Sequence, residues 1–349
     1  MSDGISRDQH FVPQDYLKNW YDAQGNFAVS VGGKIVYPAH TEAFAHSHWF
    51  YGMQELRPDE LKALLLYVRE LNDKKSANFA FSVFSYHYLA RYSRKKNCGE
   101  LRECMAVCRD IIGLGPRAEL LDNLTMMTDA GESDSVDLGR ARAQVERAAK
   151  LGFDPFHTTI ESVAYKFVRR AANGDISFLS EEASRRAFLC YLFDLFSRTP
   201  SFLSPKDVPR KFEAFSDEAR ARILSYVRHL IPRRFAEAFY NDADFRFVLL
   251  RNETPTEYIT GDQPVVNTGK VEGGIAKSTR LFFPLSPRNA IYFGHVSQLT
   301  HIANDILSVI EEDVDGLNNQ VCDASVRLIF ASNADILRRR NYHARDKYC

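Results

Sequence analysis

The sequence predicts an α+β fold, with a mainly helical middle and a mixed or antiparallel sheet formed by strands from both ends of the chain. Short β-rich segments divided by turn residues occur near the N-terminus and again over the final third. Long segments with helical apolar spacing fill the region between them. We therefore expect a single domain over residues 1–349, with N-terminal strands in 7–55, a helical block in 56–242 and a strand-rich part in 243–349.

The N-terminal part is expected to contain a hairpin, because two short alternating segments flank the glycine pair Gly32-Gly33. A helix should begin near Pro58, since acidic residues follow it and apolar residues then recur at helical spacing. Another helix is expected over 181–199, with Ser180 as its N-cap, Glu181 and Glu182 in its first turn and Pro200 as its stop. Further helices are predicted at 76–95, 99–113, 116–127, 138–150, 155–172, 206–230 and 232–241, with an exposed acidic loop at 128–137.

The sequence of the final third again predicts β-structure, because turn residues there separate short segments rich in β-branched and aromatic residues. Strands are expected at 245–252, 257–261, 279–286 and 289–294. A helix should follow at about 298–322, and then a strand in "SVRLIFAS" (325–332). The simplest arrangement pairs these late strands with the N-terminal ones in a shared sheet.

Composition and charge narrow the functional classes. The 349 residues carry 45 basic and 45 acidic side chains, so a uniformly basic nucleic-acid-binding surface is excluded, although local basic patches remain. No window approaches about 18 uninterrupted apolar residues, and the polar N-terminus lacks the layout of a signal peptide. We therefore expect a cytoplasmic protein with no membrane segment. The spacings among Cys98, Cys104 and Cys108 favour free thiols on a helix over a zinc clip.

Four separated segments give a more specific signal. They read "QHFVPQDYL" (9–17), "SRTPSF" (197–202), "EYITGDQPVV" (257–266) and "FFPLSPR" (282–288). In this order the chain resembles a mainly bacterial, uncharacterised family catalogued as domain of unknown function 4238. The resemblance covers about residues 7–332, and a late asparagine in "GLNNQ" (316–320) sits at the matching place. The later turn departs from the family pattern at Gly261 and Gln263, which puts side-chain roles there in doubt.

These segments supply the candidate site residues. His10 has an ordinary pKa near neutral pH and is the candidate general acid or base. Asp262 would orient it, and Arg198 would hold an anionic group through its planar guanidinium. The expected substrate-binding residues are Gln14, Ser286, Arg288 and Asn318, with Asn319 left as the alternative to Asn318. Each also has a structural explanation, because buried polar groups, helix C-termini and turns use the same residue types.

Two functions therefore remain open. The first is a metal-independent nuclease or phosphoester hydrolase acting as an intracellular defence or stress effector, with nucleic acid or a phosphorylated small molecule as its partner. The second is a non-enzymatic module that binds a ligand or a protein partner, in which the polar motifs are structural. No cofactor fingerprint is present, and His40, His46 and His48 lack a recognised metal-binding frame. We expect neither a cofactor nor a metal.

Overall fold

The computed structural model describes residues 8–48, 50–71, 76–94, 96–113, 116–129, 138–202, 210–269, 278–300, 302 and 304–344. These residues form two compact units. A helical unit comprises Tyr51–Pro155 and Ser204–Leu230, and a strand unit comprises Asp8–Phe50, Phe156–Leu203 and Ile231–Cys349. The division cuts through the helical block predicted from sequence, because the helices in 156–203 and 231–240 belong to the strand unit.

The helical unit is an α-helical bundle around a large apolar cluster and a smaller one formed by Tyr86, Ala90 and Val145. Pro58 and two following acids begin the helix α2 (Pro58–Leu71), where the missing N–H of proline and the helix dipole favour those residue types. One stripe of α2 then buries Leu61, Leu64 and Leu65 against aromatic residues such as Phe84. Its described helices are α2 Pro58–Leu71, α3 Ser76–Ser93, α4 Arg102–Ile112, α5 Pro116–Asp129, α6 Leu138–Leu151 and α9 Asp217–Val227.

The described residues of the strand unit form three sheets. The strands of each sheet are named here in their order across the sheet. A four-stranded antiparallel sheet runs β3 Lys34–Ala39, β2 Phe27–Val31, β11 Leu328–Ala331 and β6 Thr260–Gly261. A mixed sheet runs β10 Ile306–Val309, β5 Phe245–Asn252, β9 Asn289–His295, β8 Arg280–Pro284 and β7 Val266–Asn267. A two-stranded ribbon joins β1 Asp8–His10 to β4 His46–His48. The pairing of β2 with β11 confirms the α+β class and the shared sheet of terminal strands.

Helices cover both faces of the mixed sheet. Alternate residues of β5 point to opposite faces, so that Phe247 and Leu249 enter one apolar cluster, and Val248 and Leu250 enter another. The first cluster is completed by α7 and α8, and the second by α11. The helices of this unit are α1 Gln14–Leu17, α7 Asp154–Ala172, α8 Glu182–Ser197, α10 Ile231–Tyr240, α11 Glu311–Ala324 and α12 Ala334–Arg339.

Two sequence predictions were wrong. The expected helix over 298–322 is instead a short 3-10 turn, the strand β10 and the helix α11. Residues of β10 pair in parallel with β5, a long-range contact that local spacing does not reveal. Ser180 does not cap α8, since it ends a 3-10 turn and Glu181 takes the N-cap position.

Other predictions lie partly outside the described residues. Of the predicted acidic loop, 130–137 are not described, and α5 continues to Asp129. Of the predicted helix over 206–230, the described part forms a 3-10 turn and α9. No helix in the described ranges is long and apolar enough to cross a bilayer. Among the described cysteines, Cys98, Cys104, Cys108, Cys190 and Cys322, no disulfide bond is formed.

Candidate functional site

The opening motif docks onto the late strands of the same unit. Pro13 precedes α1, and Tyr16 and Leu17 of that helix are fully buried. The Tyr16 hydroxyl donates to the Pro284 carbonyl at 2.7 Å and shares a hydrogen bond with Thr260 at 2.8 Å. These contacts join the first motif to the third and fourth. Because the partners lie more than 240 residues apart in sequence, the motif closes the fold around the chain's two ends.

His10 lies half-buried on the β1–β4 ribbon. The Gln14 amide nitrogen lies 2.8 Å from His10 Nε2, and since an amide nitrogen only donates, Nε2 is the acceptor. Burial lowers the pKa of His10, and His46 lowers it further, although a backbone hydrogen bond with Phe44 opposes the change. A low pKa keeps the ring neutral near pH 7, the state in which histidine can accept a proton.

The ribbon gathers further titratable side chains around His10. Its register places His10 opposite His46 and Asp8 opposite His48, so all four side chains lie on one face. The Asp8 carboxylate is 2.8 Å from His48 Nδ1 and 3.5 Å from His46 Nδ1. Nevertheless, no three His, Cys, Asp or Glu side chains among the described residues are arranged to hold a metal ion.

Arg198 lies in a buried ionic network. Its side chain is 0% exposed, and its Nε donates to the carbonyl of Phe11 at 3.0 Å. Its Nη1 donates to Glu161 at 2.6 Å and to Asp194 at 3.1 Å, and Asp194 also contacts His157 at 2.7 Å. The guanidinium therefore holds the backbone next to His10. The sequence predicted that Arg198 binds an anionic group of a ligand. In the structure its guanidinium is buried and bonds to groups of the protein itself.

Asp262 closes the loop before β11. Its two carboxylate oxygens accept hydrogen bonds from the backbone N–H groups of Val326, Arg327 and Leu328 at 2.8 to 3.0 Å. Burial raises the pKa of Asp262 above its usual 3.8, and the three N–H groups oppose that shift. Sequence reasoning assigned this carboxylate to orient His10; in the structure it is directed at backbone groups of a turn.

Two positions that depart from the family pattern nevertheless have defined contacts. The Thr199 hydroxyl bonds to the Gln263 side-chain oxygen, and the Gln263 amide donates to the Val265 carbonyl at 2.7 Å. At Gly261 an added Cβ would lie 2.0 Å from the Ser325 hydroxyl. The Arg-Thr-Pro segment is thus joined to the later turn through Gln263, and the backbone packs too closely at Gly261 for a side chain.

Asn318 is the inward-facing asparagine of α11, whereas Asn319 is exposed. Its side-chain oxygen accepts the Ile259 N–H at 3.1 Å, and its amide donates to the Glu257 carbonyl at 2.8 Å and to the Tyr342 hydroxyl at 3.2 Å. Asn318 therefore fixes the segment leading into β6. All three contacts are within the protein itself, two with backbone groups and one with the Tyr342 side chain.

Ser286 anchors the turn between β8 and β9. Its hydroxyl donates to the Ala172 carbonyl at 3.0 Å, and the Asn289 amide donates to the same carbonyl at 2.9 Å. Ala172 is the last residue of α7. These bonds satisfy a terminal carbonyl of the helix and hold its end beside the turn. Beyond them, Asn173 and Gly174 leave the helix and form one wall of a cleft.

This cleft, which we call the arginine cleft, has a volume of about 810 Å³. It is lined by Asn173, Gly174, Arg251, Asn252, Glu253, Thr254, Pro255, Arg288 and Asn289. Arg251 lies opposite Asn289 in the sheet register, on the face that carries Phe247 and Leu249 deeper in the sheet. Arg251 and Asn289 therefore lie just beyond the end of α7, the helix that covers the apolar part of this face.

The arginine cleft holds two arginines, Arg251 and Arg288, and one lining carboxylate, that of Glu253. Arg288 donates to the Thr254 carbonyl and has one carboxylate, of Glu257, at 3.8 Å. No carboxylate in the described part of the chain lies within 4.0 Å of the exposed Arg251 guanidinium. Gly174 adopts a φ of +84°, and an added Cβ there would lie 3.8 Å from Arg251 Nη2. Gly174 thus keeps the space beside this cation open.

A comparison with known protein families now places the chain. The profile of a family described as "Protein of unknown function (DUF4238)" matches residues 8–335. The chain belongs to this family. The resemblance carried by the four segments is therefore confirmed. No curated protein matches the chain, and no solved structure matches it.

Membership of the DUF4238 family names no reaction. The arrangement of the side chains is therefore the guide to function. The conspicuous motif residues Arg198, Asp262 and Asn318 bind backbone groups or buried ions of the protein itself. Of the predicted site residues, Arg288 lines the arginine cleft, and Ser286 holds the turn that carries it. Sequence reasoning missed Arg251, Asn173 and Asn289. The signal at Arg251 was a charge that follows the apolar run 247–250 near the end of the strand "FRFVLLRN".

Proposed function

We propose that this DUF4238 protein binds a phosphate-bearing ligand in the arginine cleft. The observation that carries the proposal is the exposed Arg251 guanidinium, which has no carboxylate within 4.0 Å among the described residues and faces open space beside Gly174. A guanidinium presents several N–H donors in a plane and matches phosphate oxygens in a bidentate manner. A phosphate there would pair directly with Arg251.

The surrounding side chains complete a plausible phosphate environment. Arg288 offers a second guanidinium whose position is set by the Thr254 carbonyl and Glu257. Asn289 lies opposite Arg251 in the sheet, and its amide is held by the Ala172 carbonyl. Because the strands and the anchored turn fix the donors beforehand, binding orders few additional side chains. The partner class is therefore a phosphorylated small molecule or nucleic acid, the two partners expected from the sequence.

The binding proposal is tested by titrating methyl phosphate, the smallest phosphate monoester, into the full-length protein by calorimetry. Arg251→Gln should weaken binding by about tenfold or more, because it removes a charge-assisted contact. The matched control is Arg338→Gln, an exposed arginine on α12 whose ion pair is with Asp335. Absence of binding to wild type, or equal affinity in wild type and Arg251→Gln, would refute the proposal.

A second candidate function is metal-independent phosphoester hydrolysis with His10 as general base. It is favoured by the lowered pKa of His10, which keeps the ring neutral near pH 7. The test is release of nitrophenol from bis-p-nitrophenyl phosphate by wild type, His10→Ala and the control His48→Ala, which alters a more exposed histidine of the same ribbon. Activity lost in His10→Ala and kept in His48→Ala would support it; activity absent in wild type would reject it for this diester.

A further inference from the structure

A second cleft adjoins the arginine cleft and shares Gly174 with it. This second cleft has a volume of about 770 Å³, and its lining includes Ile176, Leu179, Phe245, Phe247 and Ile306. The register places Ile306 opposite Leu249, so these strand residues lie on the same sheet face as Arg251. A cleft with two arginines and a cleft with apolar strand residues in its wall therefore lie side by side along one face of the sheet.

Arg185 lines the second cleft beside its apolar residues. Its guanidinium lies 5.5 Å from the centre of the Tyr240 ring. Because a planar guanidinium stacks on flat groups, this wall of the cleft favours a ligand with a flat body.

From this juxtaposition we infer the ligand class: an organic phosphate monoester whose flat, apolar body lies in the second cleft while its phosphate lies in the arginine cleft. The inference rests on the proposed function, since it takes phosphate binding at Arg251 as given. Each cleft has a volume in the range of small-molecule sites, so a ligand of about mononucleotide size could occupy both. Gly174 lies in the wall that the two clefts share. Because glycine has no side chain, nothing projects from this position between the two clefts.

The test compares two monoesters that share the same phosphate group. Phenyl phosphate and methyl phosphate differ in the organic body alone, so the ratio of their dissociation constants reports the second cleft. In wild type, phenyl phosphate should bind about tenfold tighter, because the ring buries apolar surface. In the double variant Leu179→Thr/Ile306→Thr this ratio should fall to about twofold, while the affinity for methyl phosphate stays unchanged.

The control variant is Ile310→Thr, which alters an apolar residue more exposed than Ile306, 62% against 45%, that is not among the described lining residues of either cleft. It should leave both affinities unchanged. Threonine is β-branched like isoleucine, so the strand propensity at position 306 is retained. Circular dichroism and thermal unfolding establish that the double variant is folded before its affinities are compared.

The outcomes separate the two claims. If both esters bind equally, and Arg251→Gln weakens both, the proposed function stands and the second cleft is not part of the site. If the preference for phenyl phosphate survives in the double variant, the assignment of the apolar body to this cleft is wrong. If a single-stranded decanucleotide binds more than about tenfold tighter than phenyl phosphate, the ligand is a polymer, which overturns the small-molecule class. If neither ester binds wild type, the proposed function fails and the inference fails with it.

Discussion

Arg198 and Arg251 are two arginines of the strand unit with opposite surroundings. Arg198 is completely buried and bonds to a backbone carbonyl and two carboxylates. Arg251 is exposed at the end of β5, and no carboxylate of the described chain lies within 4.0 Å of it. The first arginine belongs to a conspicuous sequence motif, and the second does not. The contrast shows that a motif can mark the closure of a fold, while a position outside any motif carries an exposed cation without a close carboxylate.

The physical reason lies in the cost of burial. A buried charge must be paired and hydrogen-bonded, which restricts the residue types that can surround it. In motifs such as "HFVPQDYL" and "SRTPSF", the buried polar residues therefore require neighbours of particular residue types. An exposed guanidinium is solvated by water, so its sequence surroundings are less restricted. The account predicts that stability and ligand binding depend on different residues, and the following variants test that separation in order of expected effect.

The largest effect is expected for Arg198→Met. Removing the guanidinium leaves Asp194 buried beside His157 without its cation and leaves the Phe11 carbonyl without a donor. The free energy of unfolding should fall by about 3–5 kcal/mol. Arg186→Met is the control on the same helix, since its ion pair with Glu182 is exposed and should contribute less than about 0.5 kcal/mol. Urea unfolding measures both, and similar losses in the two variants would contradict the structural role of Arg198.

The next effect is expected for Asp262→Asn. The amide group cannot accept all three backbone N–H bonds, and its own N–H₂ would face a donor. We expect a loss of about 2–3 kcal/mol in the free energy of unfolding, because hydrogen bonds to a charged group are the stronger ones. Hydrogen exchange at Val326 and Arg327 should accelerate as well. Asp335→Asn, in an exposed ion pair, is the control and should show little change. Unchanged exchange at those amides would reject the assigned contacts.

A third prediction extends the contrast to the helical unit. His87 is fully buried; its Nε2 accepts the Leu56 N–H at 2.8 Å, and its Nδ1 lies 2.7 Å from the Val83 carbonyl. Burial lowers the pKa of His87 from its usual 6.5 to about 4. The unfolded chain therefore takes up this proton first, and stability is lost as the pH falls from 6.5 towards 4. Between pH 7.5 and pH 5 the loss from this group should be about 2 kcal/mol.

The matched variant for this pH dependence is His87→Gln, which does not titrate. It should be less stable than wild type at pH 7.5 and should lose about 2 kcal/mol less on acidification to pH 5. Urea unfolding at the two pH values measures the difference. Parallel pH dependence in the two proteins would show that His87 does not titrate on unfolding.

The smallest effect on stability is expected for Arg251→Gln. An exposed arginine without a close carboxylate contributes little, so the free energy of unfolding should change by less than about 0.5 kcal/mol. Thermal and urea unfolding measure this change. A large loss would mean that Arg251 holds the fold together, and it would remove the contrast with Arg198.

Much of the fold could be predicted from local patterns. The strand β5 covers the predicted residues 245–252, because aromatic and branched apolar residues lie together between turn residues. The helix α2 follows its proline and acidic start in the same way. By contrast, β10 was predicted as helix, since its stability as a strand comes from parallel pairing with β5, nearly 60 residues earlier in the sequence.

The site was less predictable than the fold. The patterns identified His10, Arg198, Asp262 and Asn318 as polar residues at element ends, but pattern does not give the partner of a side chain. Asp262 and Asn318 bind backbone groups, which every residue type presents alike. Arg251 is close to Arg288 and Asn289 through sheet register and through the end of α7, and both are long-range features.

The central claim is that the arginine cleft binds the ligand and the motif network holds the fold. Calorimetric titration of methyl phosphate into wild type, Arg251→Gln and His10→Ala tests it most directly, with unfolding measured on the same samples. The account predicts that Arg251→Gln weakens binding by about tenfold or more at unchanged stability, whereas His10→Ala binds as wild type does. Binding that is kept in Arg251→Gln and lost in a folded His10→Ala protein would contradict the account and place the ligand at the opening motif.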